Sequence, residues 1–112
     1  DIVLIGKDKE AMLKAFKQMK ELGGGMVLVE DGEIICDIPL PLAGGMSNCD
    51  MEGLMKQETE LRNQLFARGY GFNDPIYTLL FLSSTHLPYI RITPRGIYDV
   101  MNKTVLFPSI MR

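Results

Sequence analysis

The stretch Gly23-Gly24-Gly25-Met26-Val27-Leu28-Val29-Glu30-Asp31-Gly32-Glu33-Ile34-Ile35-Cys36-Asp37-Ile38 holds a helix stop, two strands and a tight turn. Glycine adopts the left-handed conformation that closes a helix, so Gly23-Gly24-Gly25 reads as a C-terminal cap. Met26–Val29 and Glu33–Ile38 are apolar runs of strand length. Asp31-Gly32 between them tolerates the positive φ of a two-residue hairpin turn. A hairpin over residues 26–38 follows.

Upstream, Met12, Leu13, Phe16, Met19 and Leu22 recur at helical spacing behind Asp8, a good N-cap. Lys14, Lys17, Lys20 and Glu21 take the outer face, which reads as solvated. Before Asp8, Ile2-Val3-Leu4-Ile5 closes on Gly6 and reads as a buried strand. Downstream, Pro39 and Pro41 stop the ladder because proline has no amide donor. Ser47 or Asp50 then caps a second helix whose inner stripe is Met51, Leu54, Met55, Leu61, Leu65 and Phe66. Glu58 and Arg62 sit one turn apart on it and can pair. Gly69 and Gly71 end it. Asp74-Pro75 opens a short helix to about Leu82, although Ile76–Leu82 would also suit a buried strand. Tyr89–Thr93, Ile97–Val100 and Thr104–Phe107 read as short strands, with a turn at Pro94-Arg95-Gly96.

The order is β-α-β-β-α followed by a short helix and short strands. This is an α+β fold, a small sheet with helices packed on it. Its 112 residues suit one domain, 1–112, with no linker or repeat. A net charge of -2 gives no basic stripe for nucleic acid. No apolar run approaches the ~20 residues that span a bilayer. Without a signal peptide, and with two cysteines that make no disulfide framework, the reading is cytoplasmic. The chain opens on Asp1 rather than Met, which reads as a segment starting inside a longer protein.

Catalytic chemistry is hard to build from these residues. The single histidine, His86, lies in the polar stretch Ser83-Ser84-Thr85-His86, where a solvent-facing role outweighs a serine–histidine pair. Cys36 and Cys49 fall in different elements, and a catalytic zinc usually needs three protein ligands. The expectation is therefore no catalytic residue and no metal site in this chain. The glycine triplet leaves a helix, whereas a phosphate loop enters one. The unusual segment is Pro39-Leu40-Pro41-Leu42-Ala43-Gly44-Gly45-Met46-Ser47. Prolines stiffen it, glycines allow close backbone approach, and its apolar side chains must pack on their own core or on another surface.

Gly23–Val29, Pro39–Ser47, Asp74-Pro75, Thr78–Leu82 and Arg91–Gly96, in this order and spacing, resemble the C-terminal region of bacterial and archaeal adenine deaminases. The resemblance covers nearly the whole chain, departing at Gly45, where that family usually carries a larger apolar residue. It implies an enzyme of the amidohydrolase superfamily that converts adenine and water to hypoxanthine and ammonia in purine salvage. It also implies that a divalent metal (manganese, iron or zinc) and the catalytic residues lie in a (β/α)8 barrel upstream. The implied partners are that barrel and adenine, with neither nucleic acid nor membrane. The apolar composition of the 39–47 segment makes Ala43, Gly44, Gly45, Met46 and Ser47 the candidate substrate-proximal loop of such an enzyme. A free-standing small-molecule-binding module and a homo-oligomerisation domain are the competing readings.

Overall fold

A computed structural model describes residues 2–110. The elements are α1 (Lys9–Leu22), β1 (Gly25–Glu30), β2 (Glu33–Pro39), α2 (Met51–Ala67), α3 (Pro75–Leu80), β3 (Ile90–Thr93), β4 (Gly96–Asp99) and β5 (Thr104–Pro108). Helices and antiparallel strands are combined in an α+β pattern, with two small sheets rather than one: β1-β2, and the meander β3-β4-β5. The chain divides into two compact units. Leu4–Asn73 forms one. The described residues from Asp74 onward, with Ile2 and Val3, form the other.

In the first unit, α1 packs on β1 and α2 on β2. Asp8 caps α1, its carboxylate accepting from the amides of Glu10 (3.1 Å) and Ala11 (3.4 Å). Gly23, at φ 77°, closes that helix in the left-handed region. The hairpin turns on Asp31 (φ 49°) and Gly32 (φ 74°), both positive as a two-residue turn with the strands' own twist requires. A bulge between Leu28 and Val29 shifts the register, so that Leu28 faces Cys36 and Val29 faces Ile34. Helix α1 is tied to the hairpin at both ends. Lys14 Nζ donates to the carbonyl of Gly32, and Gln18 Nε2 donates to Asp37 Oδ2 at 3.0 Å.

Of the two candidate caps, Asp50 holds α2, accepting from Gly53 N at 2.8 Å. The helix stops in a Schellman arrangement. Gly69 N bonds Phe66 O and Tyr70 N bonds Leu65 O, both at 3.1 Å, while Tyr70 packs back on Phe66. On its surface the ion pair is Glu52–Lys56 at 3.0 Å, six residues before the expected Glu58–Arg62 pair. The buried apolar side chains of this unit are Ile38 on β2 and Leu61 on α2.

In the second unit, Pro75–Leu80 is helix rather than strand, and Phe81 and Leu82 lie in the turn that follows it. Asp74 accepts from Tyr77 N at 3.0 Å, and Pro75 sits in the first turn, where its missing amide costs nothing. The meander follows, joined at Pro94-Arg95, with Gly96 at φ 123°.

One expectation is overturned. Residues 2–5 form no strand and are not buried: Ile2 is 48%, Leu4 39% and Ile5 67% exposed. An apolar run becomes a strand only where a neighbour completes its hydrogen-bond ladder, and neither sheet extends to it.

Candidate functional site

The 39–47 segment is a tight, hydrogen-bonded turn rather than a loose loop. It begins where Leu40 N donates to Gly24 O at 2.9 Å, continuing past β2. Leu42 and Met46 then bridge each other: Leu42 N donates to Met46 O at 3.1 Å and Met46 N to Leu42 O at 3.0 Å. Gly45 N also donates to Leu42 O, at 3.2 Å. The turn residues Ala43 (φ 54°) and Gly44 (φ 72°) are both left-handed. Alanine there stores strain that glycine would not, of order 1–2 kcal/mol.

Backbone holds this turn on the body of the unit. A Cβ on Gly24 would stand 2.6 Å from Gly44 Cα, and one on Gly25 only 2.1 Å from Ile38 O. The glycine triplet therefore does more than cap α1. Gly23 alone is the cap, while Gly24 and Gly25 let the turn and the end of β2 come within backbone distance. The cap reading missed this second role. Its signal was three glycines where a cap needs one, with two more in the segment they meet.

At the tip, Leu42 is 50% and Met46 60% exposed, and residues 43–45 are exposed with them. Ser47 is half-buried, and its hydroxyl accepts from Cys49 N at 3.0 Å. The candidate residues Ala43, Gly44, Gly45, Met46 and Ser47 are thus contiguous and fixed. They include no acid, base or ligand for a metal. Such a surface can present apolar contacts and backbone polar groups to a neighbour, but it cannot move a proton.

The remaining chemical candidates do not assemble. His86 is exposed. The carbonyl of Ser84 accepts from Leu87 N (3.1 Å) and from Arg91 Nε (3.1 Å), which makes this stretch a structured loop. Burial first, then the nearby carboxylates of Glu60 and Asp37, push the Cys36 thiol up, away from the thiolate a nucleophile needs. Cys49 is free and exposed. Among the described residues no three His, Cys, Asp or Glu side chains converge. In the second unit an open cleft of about 180 Å³ is lined by Ile2, Val3, Ser83, Ile92, Thr93 and Pro94. No residue of the 39–47 turn lines it.

The strongest polar cluster ties the end of α2 to the end of β1. Arg68 Nε lies 3.1 Å from both carboxylate oxygens of Glu30, its Nη2 2.5 Å from Oε2, and its Nη1 2.6 Å from Gln64 Oε1. The Arg68 hydrogen bonds hold the Glu30 carboxyl below its ordinary value, and Glu30 in turn raises Arg68. The folded-state value of Glu30 lies below the unfolded one. Its contribution is therefore present above the ordinary carboxylate value of about 4.3 and is lost as pH falls through the folded value. Glu30→Gln should consequently flatten the acid side of the stability profile. Urea midpoints between pH 7 and pH 3 should fall less for Glu30→Gln than for the parent, and equal slopes would remove the assignment.

Comparison with known proteins places the chain in context. The family described as adenine deaminase C-terminal domain matches residues 1–104. The chain is 65% identical over its full 112 residues to "Putative adenine deaminase YerA" of Bacillus subtilis (strain 168), covering 19% of that protein. It is 59% identical over 112 residues to "Putative adenine deaminase BH0637" of Halalkalibacterium halodurans, again 19% of that protein. The "Adenine deaminase" of Shewanella halifaxensis is 35% identical over 100 residues, which make up 89% of this chain and 17% of that protein. The chain thus spans about a fifth of the length of these relatives.

Proposed function

Since the chain belongs to the adenine deaminase C-terminal domain family, we propose that it serves as one accessory domain of an enzyme hydrolysing adenine to hypoxanthine and ammonia. The observation that carries this is full-length identity of 65% to a protein of that name, of which the chain covers 19%. In this reading the reaction is one of purine salvage in the cytoplasm. Its divalent metal (manganese, iron or zinc) and catalytic groups sit in an amidohydrolase-type barrel elsewhere in the longer polypeptide.

The role left to this chain is to pack on that barrel and shape its entrance through Ala43–Ser47. Two features support that role: the turn is closed by backbone hydrogen bonds, and its tip is apolar without titratable side chains. A fixed apolar wall can position a flat, weakly polar purine and exclude water without adding a competing acid or base. The test is an ammonia-release assay on the longer polypeptide, metal-loaded, with adenine, comparing the parent with Gly44→Val and Met46→Lys. Both should lower kcat/KM for adenine by at least tenfold at unchanged metal content. Failure of the parent to release ammonia would overturn the function. Unchanged kcat/KM in both variants would overturn the role of the turn.

A further inference from the structure

The apolar stripe of α2 is wider than the surface it covers. At about 100° per residue, Leu54, Leu61 and Leu65 fall within about 40° of one another. Those three face inward, with Leu61 only 2% exposed. Met51, Met55 and Phe66 fall within about 60° of one another, roughly a quarter turn further round the same helix. They are 73%, 58% and 42% exposed. Glu52 and Lys56, paired at 3.0 Å, border this second stripe on one side. Half-buried Arg62 falls between Met51 and Met55 around the helix, and with half-buried Glu58 and exposed Thr59 it lies between Met55 and Phe66 along the axis. Methionine, phenylalanine and arginine together on one face are residue types enriched at protein interfaces. Methionine at two of the three apolar positions gives this face a soft, adaptable surface.

We propose that the Met51–Met55–Phe66 flank of α2 is a docking surface for the remainder of the longer polypeptide in which this domain is found. The inference rests on reading the chain as part of such a polypeptide, and the relatives carry about four-fifths of their length beyond the matched region. A covalently linked body acts at an effective concentration in the millimolar range. It therefore occupies an apolar face ahead of a second copy at micromolar concentration.

The test uses the full-length protein. In the unaltered protein, peroxide oxidation of Met51 and Met55 is followed by peptide mass spectrometry. In parallel, maleimide labelling compares Met55→Cys with Lys56→Cys, adjacent on the helix but respectively inside and at the rim of the strip. Oxidation of both methionines and labelling at position 55 should be at least tenfold slower in the native protein than after denaturation, at every protein concentration. Position 56 should label freely. Native rates equal to denatured rates would overturn the proposal. Protection that disappears on dilution would also overturn it, by identifying a second copy as the occupant. Ammonia release from adenine, measured on the same preparation, separates the two readings. Protection without deamination sinks the function alone, and deamination with freely oxidised methionines sinks the docking surface alone.

Discussion

Gly25→Ala should unfold the first unit or come close to it. The methyl group has nowhere to go: its position lies 2.1 Å from Ile38 O, an atom inside the β1–β2 ladder, and Gly25 itself is at φ 139°. Strain of this kind costs of order 1–3 kcal/mol from the backbone alone. Displacing β2 would add lost ladder bonds, so a total of about 3 kcal/mol or more is expected against a domain stability of roughly 5–15 kcal/mol. The neighbouring glycines provide a graded comparison. Gly24→Ala meets Gly44 Cα at 2.6 Å, a contact between backbone and backbone that no rotamer relieves. Gly23→Ala meets nothing within 4 Å and pays only for its φ of 77°, about 1 kcal/mol. Thermal melts by circular dichroism should rank the three Gly25 > Gly24 > Gly23 in loss of Tm. At ~4–8 °C per kcal/mol the first should lose more than about 12 °C. Equal losses at all three sites would mean that the triplet is only a helix cap.

That ranking also marks where sequence reasoning succeeded and where it stopped. Features whose cause is local were legible. Asp8 and Asp50 cap because a carboxylate two or three residues before an orphan amide can reach it. Asp31-Gly32 turns because both residues tolerate positive φ. Pro75 marks the start of α3 because its missing amide is harmless there. Features whose cause is distant were not legible. The run Ile2–Ile5 has the composition of a strand, but a strand exists only with a partner ladder, and composition does not name the partner. Periodicity assigns the stripe on α2 to one inner face because it reports which side chains are apolar, not how much surface lies opposite them. The Gly24–Gly44 contact joins residues twenty positions apart, and both segments were conspicuous only as separate glycine clusters. For the candidate site, the unusual composition of 39–47 could be seen in advance. Its closure into a bridged turn with a left-handed alanine could not, because that depends on where Gly24 and the end of β2 place its ends.

Helix α2 yields the second large effect, and it separates the two sides of that stripe. Leu61→Ala should cost about 2–5 kcal/mol, the range for removing a buried leucine and leaving a cavity. Leu61 is 2% exposed and, with Ile38, makes up the buried apolar centre of its unit. A cluster so small has few neighbours able to relax into the vacated space, which places the cost in the upper part of that range. At ~4–8 °C per kcal/mol, Tm should fall by at least about 10 °C. Met55→Ala, 58% exposed on the adjacent face, should change the stability of this chain by no more than about 0.5 kcal/mol. In the longer polypeptide Leu61→Ala should cost the same, because its surroundings lie within the unit. Met55→Ala should become costly there, because a docked surface would bury it. Denaturant titrations of both variants in both lengths of chain give four numbers. If Met55→Ala remains silent in the longer chain while Leu61→Ala does not, the outer stripe of α2 is solvent-exposed in the whole protein and its apolar character has another cause.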